Sequence, residues 1–150
     1  KVQEVTRMTI KLNGKKLALE PINDVLFANE SPAATSRYVI LLRGKREEQK
    51  SSGIWIAGPC GSTAGISAAG GKRQDNTDHR LQFLVREPFH GTASPYRFIA
   101  GFIKRTERIS LISQMPKACL FLDGPARVVK VNYGDRVVVS VASTKLRRII

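Results

Sequence analysis

The sequence has 150 residues, 42% of them apolar, which fits one domain with a real core. Twenty-five Lys and Arg face twelve Asp and Glu, a formal net charge of +13. That field favours an anionic partner, whether a phosphorylated small molecule, nucleic acid or an anionic membrane surface, without choosing among them. No run reaches the ~18 apolar residues of a membrane span, and no secretory signal is visible. Cys60 and Cys119 lack metal-ligand spacing and sit among small or apolar residues. They are expected to be reduced core thiols, which points to an intracellular compartment. The chain opens on "KVQEVTR" without an initiator Met, so a segment of a longer or processed protein is expected.

Taken in order, the elements alternate with a period of two rather than 3.6. "MTIKLNGKKLALE" reads as a hairpin about Asn13-Gly14, a pair that accepts the positive φ of a type I′ turn. "NDVLFA" and "SRYVILLRG" read as strands, "REEQKSSG" as a charged turn and "GIWIAG" as a buried strand. The glycine-rich stretch "GPCGSTAGISAAGG" holds the one good helix candidate, with Ser62 as N-cap and Gly70-Gly71 as its end. "GGKRQDNTDHR" and "HGTASP" read as loops. "LQFLVREP", "YRFIAGFIK", "RISLIS" and "ACLFLDG" read as strands, followed by two more about Tyr133-Gly134-Asp135. "KLRRII" closes the chain as a charged edge strand. About ten strands at ~8–12-residue spacing predict an all-β, layered, sandwich-like domain with one short helix.

Gly58–Gly71 is the least ordinary stretch. A strand feeding a glycine turn and a hydroxyl-capped helix would leave backbone N–H groups free for an anion or a polar ligand edge. The same small residues would also serve a tight turn that merely permits packing, and local spacing does not separate the two readings. The stretch is neither a P-loop nor a G-x-G-x-x-G motif. Asn23 and Asp24 open an apolar strand, either as ligand-binding amide and carboxylate or as a plain Asx turn. His79 and His90 lie in loops without metal-spaced partners, and Ser62 has no Ser/His/Asp set. The cations are spread over turns and strand ends, Phe83 and Phe98 read as core, and no nucleic-acid signature is present, so nucleic acid is not the expected partner.

Three segments in order resemble NAD kinases: "KLNGKKLALEPINDVLFA", "SSGIWIAGPCGSTAGISAAGG" and "ACLFLDGPARVVKVNYGDRVVVSVAS". The resemblance covers nearly the whole chain and is nearest the divergent plant NADH kinase and mitochondrial NAD kinase branch. It implies the family's C-terminal all-β domain over residues 1–150, without the N-terminal α/β domain that carries the GGDGT motif and the catalytic Asp. No catalytic residue and no metal ligand is therefore expected in this segment. The resemblance implies that Asn23 and Asp24 contact adenosine and ribose hydroxyls, and that Gly61, Ser62, Thr63 and Ala64 lie along adenine and its ribose. Cys60 stands in for a purine-binding Thr or Ser, and Gly65 for a Tyr, removing an aromatic wall. Ser52 stands where many members have an Asp near the nicotinamide, and Pro88 where a neighbouring subunit's nicotinamide contact is expected.

The implied function is dinucleotide binding within an ATP-dependent NAD(H) kinase that phosphorylates the adenosine 2′-hydroxyl. NAD or NADH would be substrate, ATP and Mg²⁺ would come with the missing domain, and a homo-oligomer without membrane contact is expected. A catalytically inactive binding or oligomerisation module is the alternative, and a basic β-rich nucleic-acid binder a more distant one.

Overall fold

The computed structural model describes residues 1–90 and 95–150. Most of the loop expected at "HGTASP" (91–94) lies outside the described residues. Val2–Val5 forms β1, and the hairpin follows as Met8–Leu12 (β2) and Lys15–Lys16 (β3). Asn13 and Gly14 turn it with φ of 51° and 82°, the two positive values of a type I′ turn. Asp24–Asn29 (β4) and Ser36–Leu42 (β5) follow as expected.

"REEQKSSG" is not a turn. The chain reverses earlier, at Arg43 and Gly44, with φ of 52° and 71°. Lys45–Ser51 (β6) then pairs with β5 from Leu42↔Lys45 to Ser36↔Ser51. The strand is polar because it is the outermost of its sheet, where charges block edge-to-edge association. Its two buried residues bond inward: the Gln49 amide N–H donates to the Phe98 carbonyl at 3.0 Å, and Ser51 shares a 2.9 Å hydrogen bond with the Tyr38 hydroxyl.

Ile54–Ala57 (β7), Leu81–Val85 (β8), Ala100–Ile103 (β9), Arg108–Ser113 (β10), Ala118–Leu122 (β11), Val128–Val131 (β12), Arg136–Val141 (β13) and Leu146–Ile149 (β14) complete the strands. Fourteen strands are thus present among the described residues, all paired antiparallel. One six-stranded sheet runs β3-β2-β13-β10-β5-β6 and a second β12-β11-β4-β7-β8-β9. The strand expected at "KLRRII" pairs with β1 instead of joining either sheet.

The core lies between the two large sheets. Met8, Ile10, Ile40 and Val139 on one side meet Phe27, Ile54, Ile56 and Phe83 on the other, all buried. Phe83 and Phe98 are core as expected, although Phe98 lies in the segment before β9, which begins only at Ala100. Phe27 meets Tyr38 edge-on, with ring centroids 5.6 Å apart, and burial holds the Tyr38 phenol well above its usual range. Truncating Phe27 to Ala would cost about 3–5 kcal/mol in lost transfer energy and cavity.

Period-two alternation turns the other residues of the second sheet outward. Leu26, Trp55 and Phe121 lie side by side there, through the pairs Leu26↔Trp55 and Phe121↔Leu26. A four-residue helix, Gly65–Ala68 (α1), covers part of this face by setting Ile66 on Ala57 and Leu84. No helix among the described residues is long and apolar enough to cross a membrane.

Candidate functional site

Strand β7 delivers the glycine-rich stretch to the end of the second sheet, beside the start of β4. Gly58 N–H donates to the Asn23 carbonyl at 3.0 Å, stitching the two segments together. Pro59–Gly61 then forms one 3₁₀ turn. Gly61 is required by contact: an added Cβ would stand 1.9 Å from the Asn23 carbonyl oxygen.

Ser62 is not an N-cap. The helix begins three residues later and has no side-chain cap. The Ser62 hydroxyl instead donates to the Pro59 carbonyl at 2.8 Å and accepts from Gln74 N–H at 3.0 Å, so it ties the turn to the following loop. The N–H groups of Gly61, Ser62 and Ala64 are also occupied, by the carbonyls of Gly58, Pro59 and Gly61. Three N–H groups of the row expected to be free are therefore used inside the turn.

A cleft of about 650 Å³ opens on this turn. It brings together Asn23, Cys60, Ser62 and Thr63 from the expected set. Gln74 and Asn76 add amides, and Arg73 and Arg148 add positive charge. Val5 and Leu146 from the β1–β14 pair form an apolar part of the wall. Asp75 is the cleft's one carboxylate. Its Oδ1 accepts from Thr77 N–H at 2.9 Å and the Thr77 hydroxyl at 2.7 Å, which hold the carboxyl below its usual range. Nearby, Arg80 grips Asp78 through two side-chain contacts of 3.1 and 2.9 Å and lowers its carboxyl to about 2. The donor set suits a polar, partly anionic ligand. It does not suit a divalent metal, and no group of three or more His, Cys, Asp or Glu among the described residues could hold one.

The other expected residues lie apart from this cleft. Asp24 is only 7% exposed and lines a separate apolar cavity of about 280 Å³ with Leu26, Trp55 and Phe121. Burial first, and then Asp123, raise its carboxyl above the usual range. Ser52 lines a third hollow beside Arg86 and Glu87. Gly61 is buried behind Asn23, Ala64 is exposed at the start of α1, and Pro88 lines none of these hollows. His90 is exposed and His79 half-buried, both in loops, and both cysteines are free thiols.

Two residues matter here that their local patterns did not single out. Asp123 closes the strand pair by accepting N–H bonds from Ile22, Asn23 and Asp24, at 2.8 Å from Asn23. The Asp-Gly pair at the end of "ACLFLDG" was the available signal, but it marks a turn and not its distant partner. Trp55 is the second. A Cβ on Gly65 would meet indole carbons at 2.7 and 2.8 Å. Trp55, from β7, thus occupies the space that a side chain at Gly65 would need.

No family model matches the chain. It is 29% identical over 143 residues to a probable NADH kinase of Oryza sativa subsp. japonica, covering 91% of this chain and 44% of that protein. An NAD kinase of Methanocorpusculum labreanum is 27% identical over 119 residues, covering 79% of this chain and 42% of that protein. In fold it is similar to yeast NADH kinase complexed with NADH, with a TM-score of 0.79 at 17% identity over 95% of this chain and 42% of that one. An NAD kinase from Archaeoglobus fulgidus in complex with ATP gives 0.78 at 16% identity, over 98% of this chain and 54% of that one. The chain is a homologue of NADH and NAD kinases that spans less than half the length of the curated relatives it matches.

Proposed function

We propose that this chain is the C-terminal, dinucleotide-binding domain of an ATP-dependent NAD(H) kinase, which moves the γ-phosphoryl group of ATP to the 2′-hydroxyl of the adenosine ribose. The observation that carries the reading is the meeting of Asn23 with Cys60, Ser62 and Thr63 in one cleft, from two segments that resemble the family's. Phosphoryl transfer depends on positioning and on stabilising charge at the transferred group. This chain's share is positioning. Thr63 and Asn23 offer hydrogen bonds to a nucleoside, and Arg73 and Arg148 attract its phosphates. The single carboxylate of the cleft is held by Thr77, so Mg²⁺, the phosphoryl donor and the base are assigned to the rest of the whole enzyme.

Calorimetric titration of the 150-residue chain with NAD, NADH and ATP tests this. Dinucleotide binding that is lost in Thr63→Tyr supports it, and oligonucleotide binding with a steep salt dependence and no dinucleotide competition overturns it. The chain alone should form no NADP or NADPH. Ser52 in place of an acidic residue favours the uncharged reduced nicotinamide over the cationic oxidised one. Equal use of NAD and NADH by the whole enzyme would sink that point. A homo-oligomer is the expected assembly, and sedimentation checks it.

A further inference from the structure

Trp55 has more freedom than a packing residue needs. It is the only tryptophan of the chain and stands half-exposed on the outer face of the second sheet. Its indole N–H donates to no protein group among the described residues. Two hollows meet at its ring. One, of about 280 Å³, contains Asp24, Leu26 and Phe121. The other, of about 460 Å³, contains Gly65, Ala68 and Arg86. Asp24 is more than nine-tenths buried, yet its carboxylate accepts no hydrogen bond among the described residues. The carboxylate oxygens are not sealed from solvent, so they stay open to a donor from a ligand. On the other side, the Arg86 guanidinium sits 5.8 Å from the indole centroid and donates to the Ser52 carbonyl at 3.2 Å. The ring is therefore held at its rim, between an unpaired acceptor and a cation.

We propose that Trp55 is the stacking platform for a planar heteroaromatic base of the bound dinucleotide, with Asp24 accepting from hydroxyl or N–H groups at that base's ribose or edge. The proposal rests on the dinucleotide reading above and deepens it. Indole offers a large flat apolar face to such a ring. Gly65 is what makes the platform possible, because any side chain there would strike the indole. Adenine and nicotinamide share the required chemistry, and half-ligands separate them.

The test uses the 150-residue chain, whose tryptophan emission belongs to Trp55 alone. NAD, ADP and NMN do not absorb that emission, so quenching by them needs contact with the ring. NAD is expected to quench Trp55 with the midpoint that calorimetry gives, and ADP or NMN identifies which base does so. Trp55→Leu should weaken the binding of NAD or NADH, whichever binds more tightly, by about 5- to 100-fold. Trp55→Phe should keep most of it, and Trp55→Leu combined with Gly65→Tyr should recover it by restoring a ring from the facing position. Unfolding curves of each variant exclude a folding defect. Calorimetric binding that leaves Trp55 emission unchanged, or that Trp55→Leu does not weaken, overturns the platform and spares the dinucleotide reading. Absence of calorimetric binding by every ligand overturns both.

Discussion

Gly61→Ala is the sharpest probe of how the site is held together. The new Cβ would stand 1.9 Å from the Asn23 carbonyl oxygen, 2.3 Å from its carbon and 2.8 Å from its Cα. Comfortable contact needs ~3.5 Å, so the two segments must part by roughly 1.6 Å. Both are backbone, and neither has a flexible end that could swing away. Parting them also stretches the 3.0 Å bond from Gly58 N–H to the same Asn23 carbonyl. Overpacking costs about 1–3 kcal/mol and a spoiled buried hydrogen bond about 1–3 kcal/mol. A combined loss of about 3–5 kcal/mol lowers the Tm of a chain this size by roughly 10 °C. Gly14→Ala is the control: its φ is +82° but nothing lies within 4 Å of the added carbon. It bears only the conformational cost of about 1–2 kcal/mol, or a few degrees. Differential scanning calorimetry of both variants decides the matter. A Gly61→Ala protein melting within about 2 °C of the parent would refute the steric account, since the cost it assigns is several times larger.

Three further outcomes follow from the charges. Burial raises the Asp24 carboxyl above its ordinary value of 3.8, so the native state loses stability as pH climbs from there through the raised folded value. Asp24→Asn should therefore melt no lower than the parent at pH 7 and lose any advantage at pH 3, while dinucleotide affinity falls; a Tm clearly below the parent at pH 7 contradicts this. Asp78 behaves oppositely. Lowered to about 2 by Arg80, it contributes stability above its unfolded value near 3.8, and that contribution is lost as pH falls through 2. Arg80's side chain is 47% exposed, which limits the effect to about 1 kcal/mol. Asp78→Asn should cost this at pH 7 and progressively less as pH falls through 2, and a pH-independent difference would refute the assignment. Asp123→Ala strips the acceptor from three backbone N–H groups and should cost about 2–4 kcal/mol in urea unfolding. Parent-like unfolding would show that water replaces the carboxylate.

Legibility in the sequence followed the range of the interaction. Asn13-Gly14 specifies its own turn, and the alternation of "MTIKL" and "RISLIS" specifies which side chains meet the core, so these elements were readable locally. Arg43-Gly44 makes a turn of the same kind as Asn13-Gly14, but arginine there gave no composition signal, and the charged β6 beyond it passed for a turn itself. The pairing of β1 with β14 links residues about as far apart as the chain allows, and neither strand announces the other. Ser62 carried a genuine capping signal. It was overridden because Gln74, twelve residues on, uses the same hydroxyl. Trp55 read as an ordinary buried strand residue until the cross-strand register placed it beside Leu26 on the outer face.

The β1–β14 ribbon has a topological consequence. Lys1 and Ile150 exchange backbone contacts, with Ile150 N–H donating to the Lys1 carbonyl at 2.9 Å. In the 150-residue chain taken by itself, a peptide of a few residues would join them into a closed ring without disturbing either large sheet. Ring closure removes freedom mainly from the unfolded chain, in the manner of a long-loop disulfide, an effect on the order of several kcal/mol. A new opening at Arg43-Gly44 would then give a permuted molecule whose β5 and β6 become the ends. The hydrogen-bonded framework around Asn23, Gly61 and Asp123 would stay continuous in that molecule, because no part of it runs through the place where the chain would be cut.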